Sequence, residues 1–460
     1  MTPESEKLNQ QESPEMPCAG PKNKTAITAA KASTQNDTQS EGSRLAWVLL
    51  MGCAVRLCAF VLFPDLISHY LSGCVELSTP VTSYKRLAEG LHLCAHDISP
   101  FDGGVFHQSP LLLLLFKAFY YLPEFFTNLV YVGADALVAL ILAKLAASKR
   151  IQQQQRIQQR GPAVPGEIAL SCSPSMVAML YLFNPLTLGT VLVRSTIVFS
   201  HLAIAAALLA GLDGLANQAV VWTAVATHLS FYPVMLVAPI ALMSAARSTA
   251  TGNQLKSIAL TVAKFLFVLG AMHAVFVALY GMQYFTATFD FTLRVADLQP
   301  NVGLFWYFFI EIFDEFRLFF FVVFQLTALA FAVPVSWRFR RKPLFAATML
   351  VGIISALKSY PAWGDLALFL GLLPIFEELL KYMQYAFLSA NLLMYGIGLA
   401  PVFWHLWIEQ GSGNANFFYA ATLVYVFGQI TLLFDLGSAM LRRELDIHHP
   451  ETRARPVIQE

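Results

Sequence analysis

Four short stretches of this chain hold the residue types from which chemistry is built. Asp97 and Asp102 flank a Ser-Pro-Phe turn. Two carboxylates at that spacing can clamp a divalent metal or act as acid and base. Aspartates beside Ser-Pro and before Gly-Gly are also the ordinary composition of turns, which is the simpler reading. His107, in Phe106-His107-Gln108-Ser109-Pro110, stands where a polar stretch re-enters apolar sequence. Its imidazole can meet a phosphate or take a proton; alternatively it is an interfacial residue capping the short helix that follows. Lys358 and Asp365 bracket Ser359-Tyr360-Pro361, so an ammonium at membrane height can serve a lipid phosphate or pair with the nearby carboxylate. Gly411-Ser412-Gly413-Asn414-Ala415-Asn416 leads into Phe417-Phe418-Tyr419. Asn416 is placed to cap the next helix, and the same amides suit an anionic headgroup or sugar hydroxyls. Capping uses one asparagine, so Asn414 and Asn416 are expected to contact a headgroup. Asn301, His107, Lys358 and Asp365 are further candidates, and Phe305, Trp306 and Phe417 are candidates for the wall of an acyl groove.

Placing these residues requires a membrane. The chain is 57% hydrophobic and 13% charged over 460 residues, more apolar surface than a soluble core of that size can hide. Its apolar runs are continuous rather than alternating, which selects helices over a barrel. A net charge of +1 gives no bulk attraction to nucleic acid or acidic lipid. The expected fold is therefore an all-α polytopic membrane protein.

The cations give the sidedness. Arg44 precedes the first apolar run; Lys149 and Arg150, Arg247 and Lys256, Arg338 to Lys342, and Arg442 with Arg443 follow later ones. If every cluster is cytosolic, about twelve spans alternate without conflict between residues 44 and 443, with both termini cytosolic. The spans are expected near 46–63, 126–147, 174–193, 196–213, 215–231, 232–246, 258–284, 317–336, 343–357, 366–383, 386–408 and 417–441. Loops near 64–125, 285–314, 358–365 and 409–416 then face the lumen and contain every candidate above except Phe417, which starts the last span.

Residues 1–43 read as a polar disordered tail, 148–168 as a variable cytosolic loop and 444–460 as a cytosolic C-terminal tail. Leu111–Leu122 is too short to span and is expected as a juxtamembrane helix. Tyr84–Leu93 is amphipathic, fitting a helix on the membrane surface. Glu311, Asp314 and Glu315 are expected to share one helical face by their i, i+3, i+4 spacing. Cys74 and Cys94 lie in one loop, either paired or free. No fingerprint of a nucleotide, serine-hydrolase or zinc site occurs, and no cofactor or metal is expected.

Seven segments in order carry a resemblance: VELSTPVTSYKRLAEGL from Val75, SPFDGGVFHQSPLL from Ser99, YLFNPLTL from Tyr181, LSFYPV from Leu229, DLQPNVGLFWYFFIEIF from Asp297, KSYPAWGDLALFLGLLP from Lys358 and PVFWHLWIEQGSGNANFFYA from Pro401. Together they resemble the phosphatidylinositol-glycan class U (PIG-U) family, subunits of the glycosylphosphatidylinositol (GPI) transamidase. That family looks related to the multi-span lipid-linked mannosyltransferases, the GT-C superfamily, which carry an acid pair in the first lumenal loop. The matching position here reads Thr82-Ser83-Tyr84-Lys85. The resemblance thus implies a GT-C-like architecture with lumenal loop helices and without the transferase's acids. It further implies an endoplasmic-reticulum complex in which a separate cysteine-protease-like subunit joins the GPI lipid to precursor C-termini after removing a signal peptide. This chain would bind and present the lipid, with other subunits, precursor signal and membrane lipids as its partners. The alternative is an active lipid-linked mannosyltransferase using Asp97 and Asp102.

Overall fold

A computed structural model describes residues 22–162, 172–247 and 253–452. The described residues form helices joined by turns, with no strand among them. In chain order the principal helices are α1 (Lys22–Leu62), α2 (Tyr84–Ala95), α3 (Pro110–Lys117), α4 (Glu124–Arg160), α5 (Pro174–Leu182), α6 (Pro185–Leu192), α7 (Ile197–Asp213) and α8 (Ala216–Leu229). They continue as α9 (Val237–Ala246), α10 (Gln254–Tyr280), α11 (Phe305–Glu311), α12 (Asp314–Ala330), α13 (Pro343–Leu357), α14 (Trp363–Leu372), α15 (Ala386–Trp404) and α16 (Ala415–His448).

Local sequence sets these boundaries. Pro110, Pro174 and Pro185 open their helices at the position where no N–H is needed. Ser109, Ser173 and Asn184, one residue earlier, accept bonds from the first free amides. The Asn184-Pro185 step bends α5 against α6 by 56°. Gly214, with φ of 82°, closes α7 in the left-handed conformation that glycine adopts without strain.

Among the described residues, six helical stretches are long and apolar enough to cross a membrane, seven if the bent α5–α6 pair is one span. The six are Ser40–Leu62, Glu124–Gln159, Gln254–Tyr280, Asp314–Arg338, Ala386–Glu409 and Ala415–His448. Each of the other expected spans coincides with a shorter helix or a pair of helices, α14 for example continuing into a 3-10 stretch, Leu373–Tyr382. The apolar stretches at α1, α10 and α12 are each only 11% buried, so their flanks are open to lipid or to another protein. The core lies between α4, α5, α7, α9, α13, α14 and α16, where Leu142, Ala205, Leu236, Leu350, Phe369 and Ala439 are buried.

Several details depart from expectation. The backbone is helical from Lys22, inside the segment expected to be a tail, whereas residues 1–21 lie outside the described residues. Helix α4 runs to Arg160 through the first part of the expected cytosolic loop, and 163–171 lie outside the described residues. Glu311 does not share a helical face with Asp314 and Glu315, because the chain turns extended at Ile312 and Phe313 between α11 and α12. Helix α2 is packed rather than laid on a surface: Leu87 and Leu91 are buried with Phe106, Leu113 and Phe116 of the next segment. Of the two states left open for Cys74 and Cys94, the structure shows the unpaired one: both are free thiols.

Candidate functional site

Contacts between loops gather the chemistry-bearing residues at one end of the bundle. Segment 76–84 is fixed to the α6–α7 junction: Thr196 N–H donates to Thr82 O at 2.8 Å, and Thr196 Oγ1 to Gln108 Oε1 at 2.8 Å. Gln108 Nε2 donates to Ser83 O at 2.6 Å. The same segment reaches α14, since Trp363 N–H donates to Glu76 O at 2.8 Å. Tyr360 then joins the 295–304 loop, its hydroxyl donating to Asp297 O at 2.8 Å. Gly303 lies so close to Pro361 that a Cβ would sit 2.6 Å from its Cδ.

Against this frame lies a groove of about 530 Å³ lined by Arg86, Gly104, Val105, His107, Phe291, Ala296, Asp297 and Leu298. Arg86 Nη2 donates to Asp297 Oδ2 at 2.8 Å and to Gln299 Oε1 at 3.3 Å. His107 is stacked on Phe291 with ring centroids 3.5 Å apart. Its Nδ1 lies 2.9 Å from Ala287 O and its Nε2 3.1 Å from Gly104 O. Burial lowers the imidazole pKa below its usual value, although both carbonyls oppose that shift. A neutral ring has one N–H, so one of those carbonyls faces a lone pair. An arriving anion would favour the imidazolium, which satisfies both carbonyls. Behind His107 a smaller cavity of about 50 Å³ continues inward past Ser109, Thr196, His228 and Lys358, with Ser109 Oγ 2.7 Å from His228 Nδ1.

The other sequence candidates divide between two neighbourhoods. Lys358 pairs with Asp365 at 2.6 Å, both nearly buried, and Asp365 Oδ2 also accepts the Ala362 N–H at 2.9 Å. Asn301 is buried and fixes its own turn, accepting from Gly303 N–H at 2.8 Å. Phe305 packs with Phe309 and Tyr360, while Trp306 packs with Phe418 and Ala400; both are fully buried. Asn414, Asn416 and Phe417 are exposed around that second cluster. The cap of α16 is Asn414 and not Asn416: Asn414 Oδ1 accepts from Asn416 N–H at 3.0 Å and Phe417 N–H at 3.4 Å. Asn414 is the residue just before the first helical turn, where a cap must be. Asn416 instead accepts a hydrogen bond from Tyr307. Phe417 stacks on Phe403.

Asp97 and Asp102 are exposed, and neither lines the groove. Asp97 takes a left-handed φ of 58°, as turn aspartates do. Among the described residues no three His, Cys, Asp or Glu side chains are grouped to hold a metal. Arg86 and Asp297 were not singled out in the sequence. The available signal was a cation in a stretch that otherwise carries few, on an amphipathic helix.

A profile of the family described as GPI transamidase subunit PIG-U matches residues 50–425, which include all of the groove and the asparagine loop. The chain belongs to the PIG-U family. It is similar to the GPI-anchor transamidase component PIGU of Cricetulus griseus, 34% identical over 88% of this chain and 95% of that one. The Homo sapiens protein of that name is 33% identical, with the same coverage. The GPI transamidase component GAB1 of Saccharomyces cerevisiae is 34% identical over 86% of this chain and 94% of its own length. These relatives cover 86–88% of this chain, and the groove lies within the residues that the family profile matches.

Proposed function

We propose that this chain is a non-catalytic subunit of GPI transamidase that binds the GPI lipid and presents it for attachment to precursor C-termini. The reading places it in the endoplasmic-reticulum membrane, with about twelve crossings in a GT-C-like arrangement and both termini cytosolic. The bent α5–α6 pair and the shorter helices α7, α8, α9, α13 and α14 would then complete the crossings alongside the six long ones. The cysteine-protease-like catalytic subunit and the precursor's apolar C-terminal signal would be its partners.

The observation that carries the proposal is the groove holding Arg86 and His107 at the loop-bearing end. The Arg86 guanidinium suits the inositol phosphate, and His107, its ring nitrogens held by two carbonyls, would add positive charge beside it when protonated. Asn414 and Asn416 would meet glycan hydroxyls, and Phe417 would meet lipid. Asn301, Lys358 and Asp365 would position the loops, while Phe305 and Trp306 would hold the groove region from within.

The test is to purify the whole complex carrying Arg86→Gln with His107→Phe and quantify co-purifying GPI by mass spectrometry. The expected result is a drop of about tenfold or more with all subunits retained, as follows from losing charge-assisted contacts. Unchanged GPI recovery would refute the groove as the lipid site. Alanine at both Asp97 and Asp102 is expected to leave transamidation intact, whereas an active sugar transferase would be abolished.

A further inference from the structure

At the end of the bundle away from the groove, a second cavity of about 520 Å³ draws together residues from distant parts of the chain. The two are at opposite ends because α13 runs from Lys342, at this cavity, to Leu357, beside Lys358. Six cations line it: Lys149 and Arg156 of α4, Arg247 after α9, Arg341 and Lys342 before α13, and Arg443 of α16. Among the described residues one carboxylate lines it, Glu378, whose two oxygens accept from Lys149 Nζ at 2.7 and 3.0 Å. Glu444 stands 3.4 Å from Lys342 and 3.1 Å from Arg338. The inner wall is apolar, formed by Leu212, Met243, Leu344, Phe345, Phe376 and Met440.

The charge bias of cytosolic loops explains why cations occur at helix ends. It does not require four separate cationic segments to converge on one concavity of ligand size. Like charges held together beside an apolar wall repel, and the repulsion is relieved when a multiply charged anion enters. Guanidinium forks and ammonium groups are the usual partners of phosphate oxygens.

We infer that this cavity binds a phosphorylated anion, with the phosphate at Arg341, Lys342 and Arg247 and the less polar part of the ligand against Phe345 and Met440. The headgroup of an anionic lipid and a soluble polyphosphate share this chemistry. The inference is independent of the proposed lipid groove.

The test uses the whole complex in phosphatidylcholine nanodiscs, with and without phosphatidylinositol phosphate, and titration with inorganic pyrophosphate. Enrichment of phosphatidylinositol phosphate over phosphatidylcholine by native mass spectrometry is expected if the ligand is a lipid. Pyrophosphate binding without lipid enrichment would assign a soluble polyphosphate. In either case Arg341→Gln with Lys342→Gln is expected to weaken binding about tenfold or more. Gln152→Glu, which adds an anion at the exposed rim, should weaken it in a chain whose fold is undisturbed. Lys256→Gln, an exposed cation outside the cavity, should change nothing. Neither anion binding above background, or equal losses in Lys256→Gln and the cavity variants, would overturn the inference.

Discussion

Arg56 of α1 and Asp135 of α4 form an ion pair 2.6 Å apart, with each side chain only 1% exposed. Both lie within stretches long and apolar enough to span a membrane, where an unpaired charge is costly. Tyr181 Oη donates to Asp135 Oδ1 at 3.0 Å, and Arg56 Nη1 donates to Gly52 O at 3.1 Å. The cluster therefore joins the lipid-flanked α1 to the core through α4 and α5.

Removing one partner leaves the other charge buried and uncompensated. Asp135→Ala is expected to destabilise the protein by about 3–5 kcal/mol, whereas Arg56→Met with Asp135→Leu should recover most of that loss. Thermal unfolding of the three proteins in one detergent measures it. A double variant as unstable as the single one would mean that the charges do more than pin two helices together.

Glu76 supplies a pH dependence. Its side chain is 1% exposed with Oε1 unpartnered, and burial pushes its pKa from 4.5 up to about 7. Between those values the folded chain keeps a proton that the unfolded chain has released, so stability falls as pH rises from 4.5 toward 7. The upper bound on that fall is ~3 kcal/mol. Glu76→Gln keeps the shape and removes the titration. Its stability is expected to be flat across this window and to exceed that of the parent at pH 7.5. Parallel pH profiles for the two proteins would rule out Glu76 as the titrating group.

The helical fold was legible because its signals are local and additive. Continuous apolar runs, Pro at first turns and the Asn184-Pro185 break all act within a few residues. The cation clusters were legible as clusters, and Lys149, Arg247, Lys342 and Arg443, each from a different one, line one cavity. The groove was legible only in part. His107 stood out by its neighbours, but its stacking on Phe291 depends on residues nearly two hundred positions apart. Arg86 gained meaning only once Asp297 was beside it. For Lys358 and Asp365 the sequence leaves an ion pair and a lipid phosphate equally open, and the structure shows the pair. The sequence offers two asparagines at the start of α16, and only backbone geometry selects Asn414 over Asn416 as its cap.

That choice between asparagines yields the final prediction. Asn414 is exposed but holds two amide protons of α16, so Asn414→Ala should cost about 1 kcal/mol and speed hydrogen exchange in the first turn of that helix. Asn416→Ala leaves the cap intact and removes only the bond from Tyr307. It should change stability by no more than about 0.5 kcal/mol, so any loss of GPI bound to the complex must come from a missing contact. Equal exchange rates in the Asn414→Ala and Asn416→Ala proteins would contradict the capping assignment. Undiminished GPI recovery with Asn416→Ala would remove that residue from the proposed headgroup contacts and leave the lipid's recognition to the Arg86–His107 groove.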